Sequence, residues 1–364
     1  MRVLEIAASL KIGGAEKIAR DIGYYSSYDN YQIDYIVFGD AIGEYEQELQ
    51  EKGCKIYHLP QPSASYLKYL QALCKLIKSN EYQVVHTHTM FNSGWAMLVA
   101  KLCKVPIRIS HSHSVDDQPN KSKVQRAYEK AMQLLIVGLS THYVGCGVKA
   151  GEILFGKKRY HKKGITILNG IDTKKFGYNE TNRNETREKL GLTNSFVIGH
   201  VGHLANVKNQ GFLINLMPEI LKKKPNAKLL LLGEGEDRQK LEKQISDLGL
   251  SQSVIMTGNV TDVHKYLSAM DAFVFPSLYE GMPLSVIEVQ ANGLPCIMSD
   301  AVPQDVVLTD LICRLPLTDP SDIWVEFICN AQRSDSYKYE EKIRDLDLDS
   351  EKMVDKILSL YCEI

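Results

Sequence analysis

The stretch VLEIAASLKIGGAEK, residues 3–17, decides the fold because it runs from a strand through a glycine turn into a helix. Gly13 and Gly14 carry no side chain, so the backbone here can approach a ligand and open a helix amino end toward it. The stretch has neither the GxGxxG spacing of a dinucleotide fingerprint nor a GxxxxGK[ST] phosphate loop. Two interpretations of the glycine pair therefore stay open, a tight turn and a ligand contact.

The same order of strand, turn and helix recurs along the chain. Strands separated by helices are typical of parallel α/β units, and continuous apolar strands indicate a sheet covered on both faces. The strand-like runs of the first half are YQIDYIVFG, CKIYHLP, YQVVHTHT, PIRISHSH and THYVGCG, and those of the second half are SFVIGHVG, AKLLLLGEG, SVIMTGNV, MDAFVFPS and LPCIMSD.

The pattern breaks at KGITILNGIDTKKF, residues 163–176, where Asn169-Gly170 is a turn signal and a polar segment follows. We therefore expect two doubly wound α/β domains, 1–170 and 171–345. Domains of this kind bind ligands at the carboxyl ends of their strands, so two of them facing each other imply a cleft lined by the residues just after each strand.

Composition excludes several classes of protein. The 364 residues have a net charge of −1, with 44% apolar and 24% charged residues, which argues against disorder and against wholesale nucleic-acid binding. The eight cysteines form no CxxC pair, as expected in a reducing compartment. Glu5 interrupts the first apolar run, so it does not suit a signal peptide, and no run has the ~18 residues of a membrane span. We expect a cytoplasmic protein that at most touches a membrane from one side.

The stretch LYEGMPLSVIE, residues 278–288, places Glu280 before a helix start and Glu288 inside the helix. Pro283 suits a first turn, so the helix is predicted to begin near Met282 or Pro283, with free amides that suit a diphosphate. Glu288 would lie ~7.5 Å further along the axis, where ribose hydroxyls would be. A nucleotide sugar fits these separations. The alternative is that Glu280 caps the helix and Glu288 pairs with a core lysine.

Basic and imidazole side chains follow other predicted strands. Lys208 comes shortly before a helix, where it can clamp a diphosphate. His111 and His113 lie on the same side of an extended strand end, and HTH at 86–88 follows another strand. A zinc site, a histidine that donates to a substrate hydroxyl or phosphate, and a histidine satisfied within the core are the three interpretations.

These motifs together resemble the retaining, nucleotide-sugar-dependent glycosyltransferases of family 4, which have the GT-B fold. The resemblance runs in order over about residues 1–310, its most specific part is the Glu-x7-Glu element, and it is closest in character to bacterial enzymes that build capsular polysaccharide or exopolysaccharide. The motifs that carry it are GGAEK, HSHS, NGID..KF, GHVG......KN and S..EGMPLSVIE.

The resemblance implies roles in donor binding. Glu280 would contact the donor sugar, Glu288 the ribose and Lys208 the diphosphate, with Glu280, His113 and Lys208 as the catalytic set. The segment Gly281, Met282, Pro283 and Leu284 would stabilise the leaving nucleotide, Gly14 would line the phosphate side, and Val260 would lie beside the base. Sugar-side or acceptor-side candidates are Gly13, His111 and Asp116.

One position departs from the family pattern. His203 stands where the family commonly has Arg, so the diphosphate clamp has one permanent charge fewer and Lys208 would carry more of the neutralisation. The resemblance further implies transfer with retention, no metal or other cofactor, and a C-terminal helix, 346–364, that crosses back to the N-terminal domain.

The acceptor is less defined by the sequence. Segment 120–138 combines basic residues with an apolar face, which suits either contact with an anionic membrane and a polyprenol-linked acceptor or packing on its own domain. The expected donor is a UDP-sugar carrying a hexose or N-acetylhexosamine. Two other functions are considered, a UDP-sugar 2-epimerase and a non-catalytic nucleotide-sugar-binding subunit.

Overall fold

The computed structural model describes residues 1–26, 30–113, 121–333 and 336–362. The chain forms two compact units, Met1–Gly170 with Ser350–Ile364, and Ile171–Asp349. The strands are β1 Arg2–Ile6, β2 Gln32–Phe38, β3 Ile56–Leu59, β4 Val84–Thr87, β5 Ile107–Ser112, β6 His142–Gly145, β7 Gly164–Thr166, β8 Phe196–Val201, β9 Ala227–Leu232, β10 Val254–Gly258, β11 Ala272–Phe275, β12 Cys296–Ser299 and β13 Ile312–Leu315.

Helices connect most of these strands. They are α1 Gly14–Tyr25, α2 Glu46–Glu51, α3 Tyr66–Asn80, α4 Ser93–Leu102, α5 Lys123–Leu139, α6 Val148–Phe155, α7 Lys157–Lys163, α8 Thr173–Phe176, α9 Glu180–Leu190, α10 Gln210–Lys223, α11 Arg238–Asp247, α12 Val263–Ala269, α13 Leu284–Ala291, α14 Ser321–Cys329, α15 Ser336–Asp345 and α16 Ser350–Tyr361. Among the helices described, none combines the length and apolar character needed to cross a bilayer.

The first unit is built on a seven-stranded sheet in the order β3-β2-β1-β4-β5-β6-β7. Its strands pair in parallel. The chain winds outward in one direction from β1 and in the other from β4, so the strand order reverses between these two. In open parallel sheets the crevice at such a reversal binds ligands at the carboxyl ends of the strands. Gly13 follows β1 at this edge, and His88 follows β4.

The second unit repeats the plan with six parallel strands in the order β10-β9-β8-β11-β12-β13. Here the order reverses between β8 and β11, whose following loops carry Lys208 and Glu280. The four inner strands, β8, β9, β11 and β12, are almost wholly buried because helices cover both faces, and their leucine, isoleucine, valine and phenylalanine side chains form much of the core.

The last helix, α16, packs against α1 in the first unit. Met353, Ile357 and Tyr361 belong to the same buried cluster as Ile18 and Ile22 of α1. Hydrogen bonds reinforce this packing, because Ser350 Oγ donates to Asp21 Oδ2 over 2.8 Å.

The prediction of two doubly wound parallel α/β domains is confirmed by these two sheets. Each quoted strand-like run contains a strand of the structure, but two edge strands, β7 and β13, were missed. β7 has three residues and lies inside the segment interpreted as a break in the pattern. β13 has four, most of them only half-buried, so neither carries a clear apolar signal.

Candidate active site

The second unit brings Lys208 and Glu280 together. Lys208 ends a short 3-10 turn after β8, and Glu280 lies in the loop between β11 and α13. Nζ of Lys208 is 2.7 Å from Oε1 of Glu280, and the two side chains are 20% and 11% exposed. The amide of Leu278 donates to the carbonyl of Val207 over 2.8 Å, which ties the two loops together. The sheet therefore presents an ion pair with partial access to solvent at the predicted place.

A buried aromatic ring supports the lysine. Nζ of Lys208 lies 5.0 Å from the ring centroid of Phe275, the fully buried last residue of β11. A cation near an aromatic face is attracted to its negative potential. Asn209, in the left-handed region with φ of 55°, donates from its side chain to the carbonyl of Pro276 over 3.1 Å. The position of Lys208 is therefore set by the Phe275 ring and by the turn at Asn209 that follows it.

The helix after Glu280 starts later than predicted. α13 begins at Leu284, because Pro283 has an extended ψ of 109° and forms the N-cap. Pro283 has no N–H to offer, and no side chain caps this end, so Glu280 is not a helix cap. The amide of Val286 donates to the carbonyl of Pro283 over 3.1 Å, and the amides of Leu284 and Ser285 begin the helix without intrahelical acceptors. Free N–H groups at a helix start suit an anion.

The remaining predicted residues of this unit lie around that helix and the neighbouring loops. Glu288 is in the second turn of α13 and only 8% exposed. Met282 and Leu284 are half-buried and pack on the core of the unit. Val260 is also half-buried and follows β10.

His203 points to a different partner. Its Nε2 lies 2.8 Å from Oε2 of Glu236, and both side chains are mostly exposed, at 62% and 69%. Two hydrogen bonds lower the pKa of the Glu236 carboxyl. The larger effect comes from the backbone amide of Glu236 itself, and the smaller from His203. The structure thus pairs His203 with a surface carboxylate and does not bring it into the Lys208–Glu280 ion pair.

In the first unit, the two glycines differ in their surroundings. Gly13 is the N-cap of α1, and a Cβ added there would meet the Glu16 carboxylate at 2.3 Å. Glu16 is half-buried, and this burial raises the pKa of its carboxyl. At Gly14 an added Cβ would meet no described atom within 4 Å. Gly13 therefore makes room for Glu16, whereas Gly14 leaves open space at a helix start.

Four histidines lie together at the carboxyl edge of the first sheet. His86 lies in β4 and His88 directly follows it, while His111 lies in β5 and His113 directly follows that strand. Alternate residues of a strand share a face, so all four rings lie on one side, with neighbouring centroids 4.1 to 5.4 Å apart. The predicted pairing of His111 with His113 on one side is therefore part of a larger group.

Glu5 of β1 and Tyr361 of α16 complete this histidine cluster. Oε2 of Glu5 lies 2.7 Å from Nε2 of His88, and the Tyr361 hydroxyl donates to Oε1 of Glu5 over 2.6 Å. Nδ1 of His88 lies 2.7 Å from Nε2 of His113. Burial opposes ionisation of Glu5, but the neighbouring His86 and His88 outweigh it and lower the pKa of this carboxyl to about 2. Glu5 is therefore a carboxylate at neutral pH.

Three of these histidines, His88, His111 and His113, are neutral at pH 7. Burial, followed by repulsion from neighbouring imidazoles, lowers the pKa of His111 and of His113 well below 6.5 and lowers that of His88. Ring nitrogens of His86, His88 and His111 lie within 4.8 Å of one another, as a metal site requires. Both nitrogens of His88 already have hydrogen-bond partners, however, so a metal would have to displace one of them. The arrangement fits a hydrogen-bonded chain better than a set of ligands.

Sequence reasoning missed part of this cluster. It used Glu5 only as an interruption of an apolar run, gave His88 no role of its own, and did not consider Tyr361. A carboxylate in a strand that is covered on both faces was the available signal, because a buried charge needs partners. Asp116, the remaining predicted site residue, lies outside the described residues.

Comparison with known proteins places the chain in a family. Residues 13–146 match the model of a glycosyl transferase 4-like domain, and residues 182–322 match that of the glycosyl transferases group 1. A putative glycosyltransferase of Bacillus subtilis, EpsF, is 30% identical over 368 residues, which cover 99% of this chain and 96% of that protein. The capsular polysaccharide biosynthesis glycosyltransferase CapH of Staphylococcus aureus is 28% identical over 306 residues, which cover 82% of this chain and 81% of that protein.

A relative from Escherichia coli, named UDP-Gal:alpha-D-GlcNAc-diphosphoundecaprenol alpha-1,3-galactosyltransferase, is 31% identical over 240 residues, 64% of this chain and 62% of that protein. Among solved structures, Anabaena HepE in complex with UDP-glucose aligns over the whole of both chains with a TM-score of 0.82 at 18% identity. That likeness confirms the GT-B fold, and the relatives confirm the family predicted from the motifs. The chain is therefore a glycosyltransferase, and it belongs to family 4.

Proposed function

We propose that this enzyme transfers a hexose or N-acetylhexosamine from a UDP-sugar to a saccharide or polyprenol-linked acceptor, with retention of anomeric configuration, in the synthesis of a surface polysaccharide. The observation that carries the proposal is the ion pair between Lys208, which follows β8, and Glu280, which lies in the loop that leads to the open amino end of α13. The name of the E. coli relative includes UDP-galactose and a diphosphoundecaprenol acceptor, and HepE was solved with UDP-glucose. Both names support a UDP-sugar here.

The donor occupies the second unit in this proposal. Its diphosphate accepts hydrogen bonds from Lys208 and from the amides of Gly281, Met282 and Leu284, because these are the positive groups around the start of α13. Glu280 contacts the sugar, and the buried carboxylate of Glu288 accepts the ribose hydroxyls. The base lies beside Val260.

The same positive groups assist the chemical step. The oxygen of the acceptor hydroxyl bonds to the anomeric carbon while the bond from that carbon to the diphosphate oxygen breaks, so negative charge grows on the departing UDP. The hydroxyl proton passes to the departing diphosphate. Preorganised donors aimed at growing charge are commonly the largest contribution to catalysis. Lys208 and the α13 amides supply this stabilisation, and no metal ion or other cofactor is required.

Ligand-induced stabilisation tests the donor site. UDP, GDP, ADP and a set of UDP-sugars are added at a hundredfold excess over Kd, where a ligand that binds only the folded state adds roughly 2.7 kcal/mol to the free energy of unfolding. We expect UDP and one UDP-sugar to raise the unfolding temperature and Glu288→Ala to abolish the rise. Glu219→Ala, which removes an exposed carboxylate of α10, is the control. No shift by any nucleotide, or a shift that survives Glu288→Ala, contradicts the proposal.

Product analysis separates transfer from the two other functions considered. A transferase yields UDP and a glycosylated acceptor, a 2-epimerase yields an isomerised UDP-sugar, and a binding subunit yields neither. We expect UDP release that depends on the acceptor and persists in the presence of EDTA. Isomerised donor, or strict dependence on a divalent cation, would contradict the proposed reaction.

The lipid-linked acceptor explains an unusual helix surface. α5 packs on its own unit through Met132 and Ile136, yet Val124 is 80% and Leu134 53% exposed, and the basic residues Lys123, Arg126 and Lys130 are exposed on the same helix. Apolar and basic side chains together favour an anionic membrane surface. The enzyme then works at the inner face of the cell membrane.

Vesicle flotation tests this membrane contact. The protein is expected to float with vesicles that contain phosphatidylglycerol, less with neutral vesicles, and less after Val124→Asp. Phe327→Asp, at a 46% exposed apolar residue of α14, is the control and should leave flotation unchanged. Equal flotation of wild type and Val124→Asp contradicts the role of α5.

A further inference from the structure

Two cysteine thiols lie side by side in the first unit. Sγ of Cys74, in α3, is 3.5 Å from Sγ of Cys103, which forms the C-cap of α4. A disulfide bond is about 2.05 Å long, so the two sulfurs need to come about 1.5 Å closer to form one. All eight cysteines are free thiols in the structure. The first unit therefore holds a reduced pair that a small movement of two side chains can join.

The packing of the two helices keeps these thiols together. Tyr66, at the start of α3, has its ring centroid 5.4 Å from that of Trp95 in α4. Cys74 lies eight residues after Tyr66, and Cys103 lies eight residues after Trp95. The two contacts are therefore ~12 Å apart along both helices, at a rise of about 1.5 Å per residue. Because the spacing is the same on both, the helices run side by side in one direction, and a bond between the cysteines does not require one helix to slide along the other.

Both cysteines are accessible to a small reactant, but they are not highly reactive. They are half-buried at the edge of the core that α3 and α4 share. Burial, followed by the hydrogen bond with Cys74, raises the pKa of the Cys103 thiol to about 11. This thiol is therefore protonated at pH 7, and it reacts slowly because the thiolate is the reactive form. Slow reaction suits a pair that stays reduced in a reducing compartment and is joined only under sustained oxidation.

A metal ion is a poorer explanation of the pair. Structural zinc sites use four ligands, which are cysteine, histidine or carboxylate groups. Within the described residues, the one group of three or more such side chains close enough to share an ion consists of His86, His88 and His111, and it contains no cysteine. Two thiols alone leave a zinc site incomplete, so the geometry favours a bond between the two sulfurs.

We infer that Cys74 and Cys103 form a redox site, in which hydrogen peroxide joins α3 to α4 by a disulfide bond. The thiolate of one cysteine attacks a peroxide oxygen, the O–O bond breaks, and a sulfenic acid forms while the other oxygen leaves as water. The sulfur of the second cysteine then displaces the sulfenic hydroxyl, which also leaves as water. Two thiols are thus oxidised and one peroxide is reduced to two waters, which take up both thiol protons. The inference concerns the first unit alone and does not depend on the proposed function.

Peptide mapping without reductant tests this inference. The full chain is reduced, treated with hydrogen peroxide at about pH 8.5, where more thiolate is present, and digested. We expect one linked pair of peptides that contains Cys74 and Cys103 and that dithiothreitol separates. Cys74→Ser should lack this product, whereas Cys313→Ser, which removes another half-buried thiol, is the control and should keep it. Thiols that stay reduced, or that are oxidised separately to sulfinic acids, overturn the inference.

Thermal unfolding measures the effect of the bond on the fold. A disulfide that fits the native geometry stabilises a protein by restricting its unfolded chain, here by closing the segment 74–103. Peroxide treatment should therefore raise the unfolding temperature of wild type by about 5 °C, and dithiothreitol should reverse the rise. The rise should be absent from Cys74→Ser and present in Cys313→Ser. An unchanged or lower unfolding temperature in the linked wild type would overturn the fit inferred from the helix packing.

Discussion

The two units of this glycosyltransferase differ in the polar groups that lie at the carboxyl ends of their strands. In the second unit, Lys208 and Glu280 form an ion pair that water can reach, and the amides that start α13 have no intrahelical acceptors. In the first unit, Glu5, His88 and His113 form a hydrogen-bonded chain whose one carboxylate is fully buried. A charged anion suits the former and a neutral hydroxyl the latter. The two sites therefore differ in charge and in access to water.

The largest expected effect follows from removing Lys208, the cation of the second unit. Lys208→Met keeps an unbranched chain over Phe275 but leaves Glu280 without its partner and the diphosphate without its cation. Loss of one such donor costs about 100- to 1000-fold in kcat. Steady-state transfer kinetics measure it, and Lys243→Met, at a lysine of α11 that is 75% exposed, is the control. A loss below about threefold would mean that other groups carry the charge.

Acid should weaken the first unit through Glu5. Its folded pKa of about 2 lies below the ordinary 4.5, so ionised Glu5 stabilises the fold above pH 4.5, and this stabilisation is lost as the pH falls toward 2. The shift corresponds to about 3 kcal/mol. Urea unfolding of wild type and Glu5→Gln at pH 7 and pH 3 measures it. We expect the stability gap between the two to narrow at pH 3, and a constant gap would contradict the assigned charge.

His111 should contribute to acid sensitivity at a higher pH. Its folded pKa is well below 6.5, so the unfolded chain binds the extra proton and stability falls as the pH drops below 6.5. Both ring nitrogens are buried without partners among the described residues. His111→Leu should therefore cost less than about 1.5 kcal/mol at pH 7 and flatten the stability curve between pH 6.5 and 5. A steeper curve in the variant would rule this out.

The smallest expected effect comes from restoring the family's arginine. His203→Arg adds a permanent charge after β8, but the site is exposed and Glu236 competes for it, so the gain in UDP affinity should be about two- to fivefold. Calorimetric titration with UDP measures it at low and high salt. Weaker binding by the variant would show that position 203 does not face the diphosphate.

The candidate residues that lie together in the second unit were easier to find from the sequence than those of the first. Glu280, Glu288 and the helix start lie within one short stretch, and Lys208 follows a strand and glycine turn, so local patterns were enough. The contacts of Glu5 depend on topology instead. Tyr361 is 356 residues away from it and His88 is 83 away. The strand order brings His88 to Glu5, and the packing of α16 on the first unit brings Tyr361 there.

Local geometry set other limits to prediction. The start of α13 differs from the predicted one because Pro283 can serve either as an N-cap or in the first turn, and the sequence does not distinguish the two. The partner of His203 is Glu236, from a loop after β9, which no spacing rule connects to it.

Calorimetric titration of UDP tests most directly whether the second unit holds the UDP site. The proteins compared are wild type, Lys208→Met, Glu288→Ala and Glu5→Gln. We expect one UDP bound per chain, binding lost in Lys208→Met and Glu288→Ala, and wild-type affinity in Glu5→Gln, which changes only the first unit. UDP binding that survives both changes in the second unit, or that is lost in Glu5→Gln, would contradict a UDP site in the second unit.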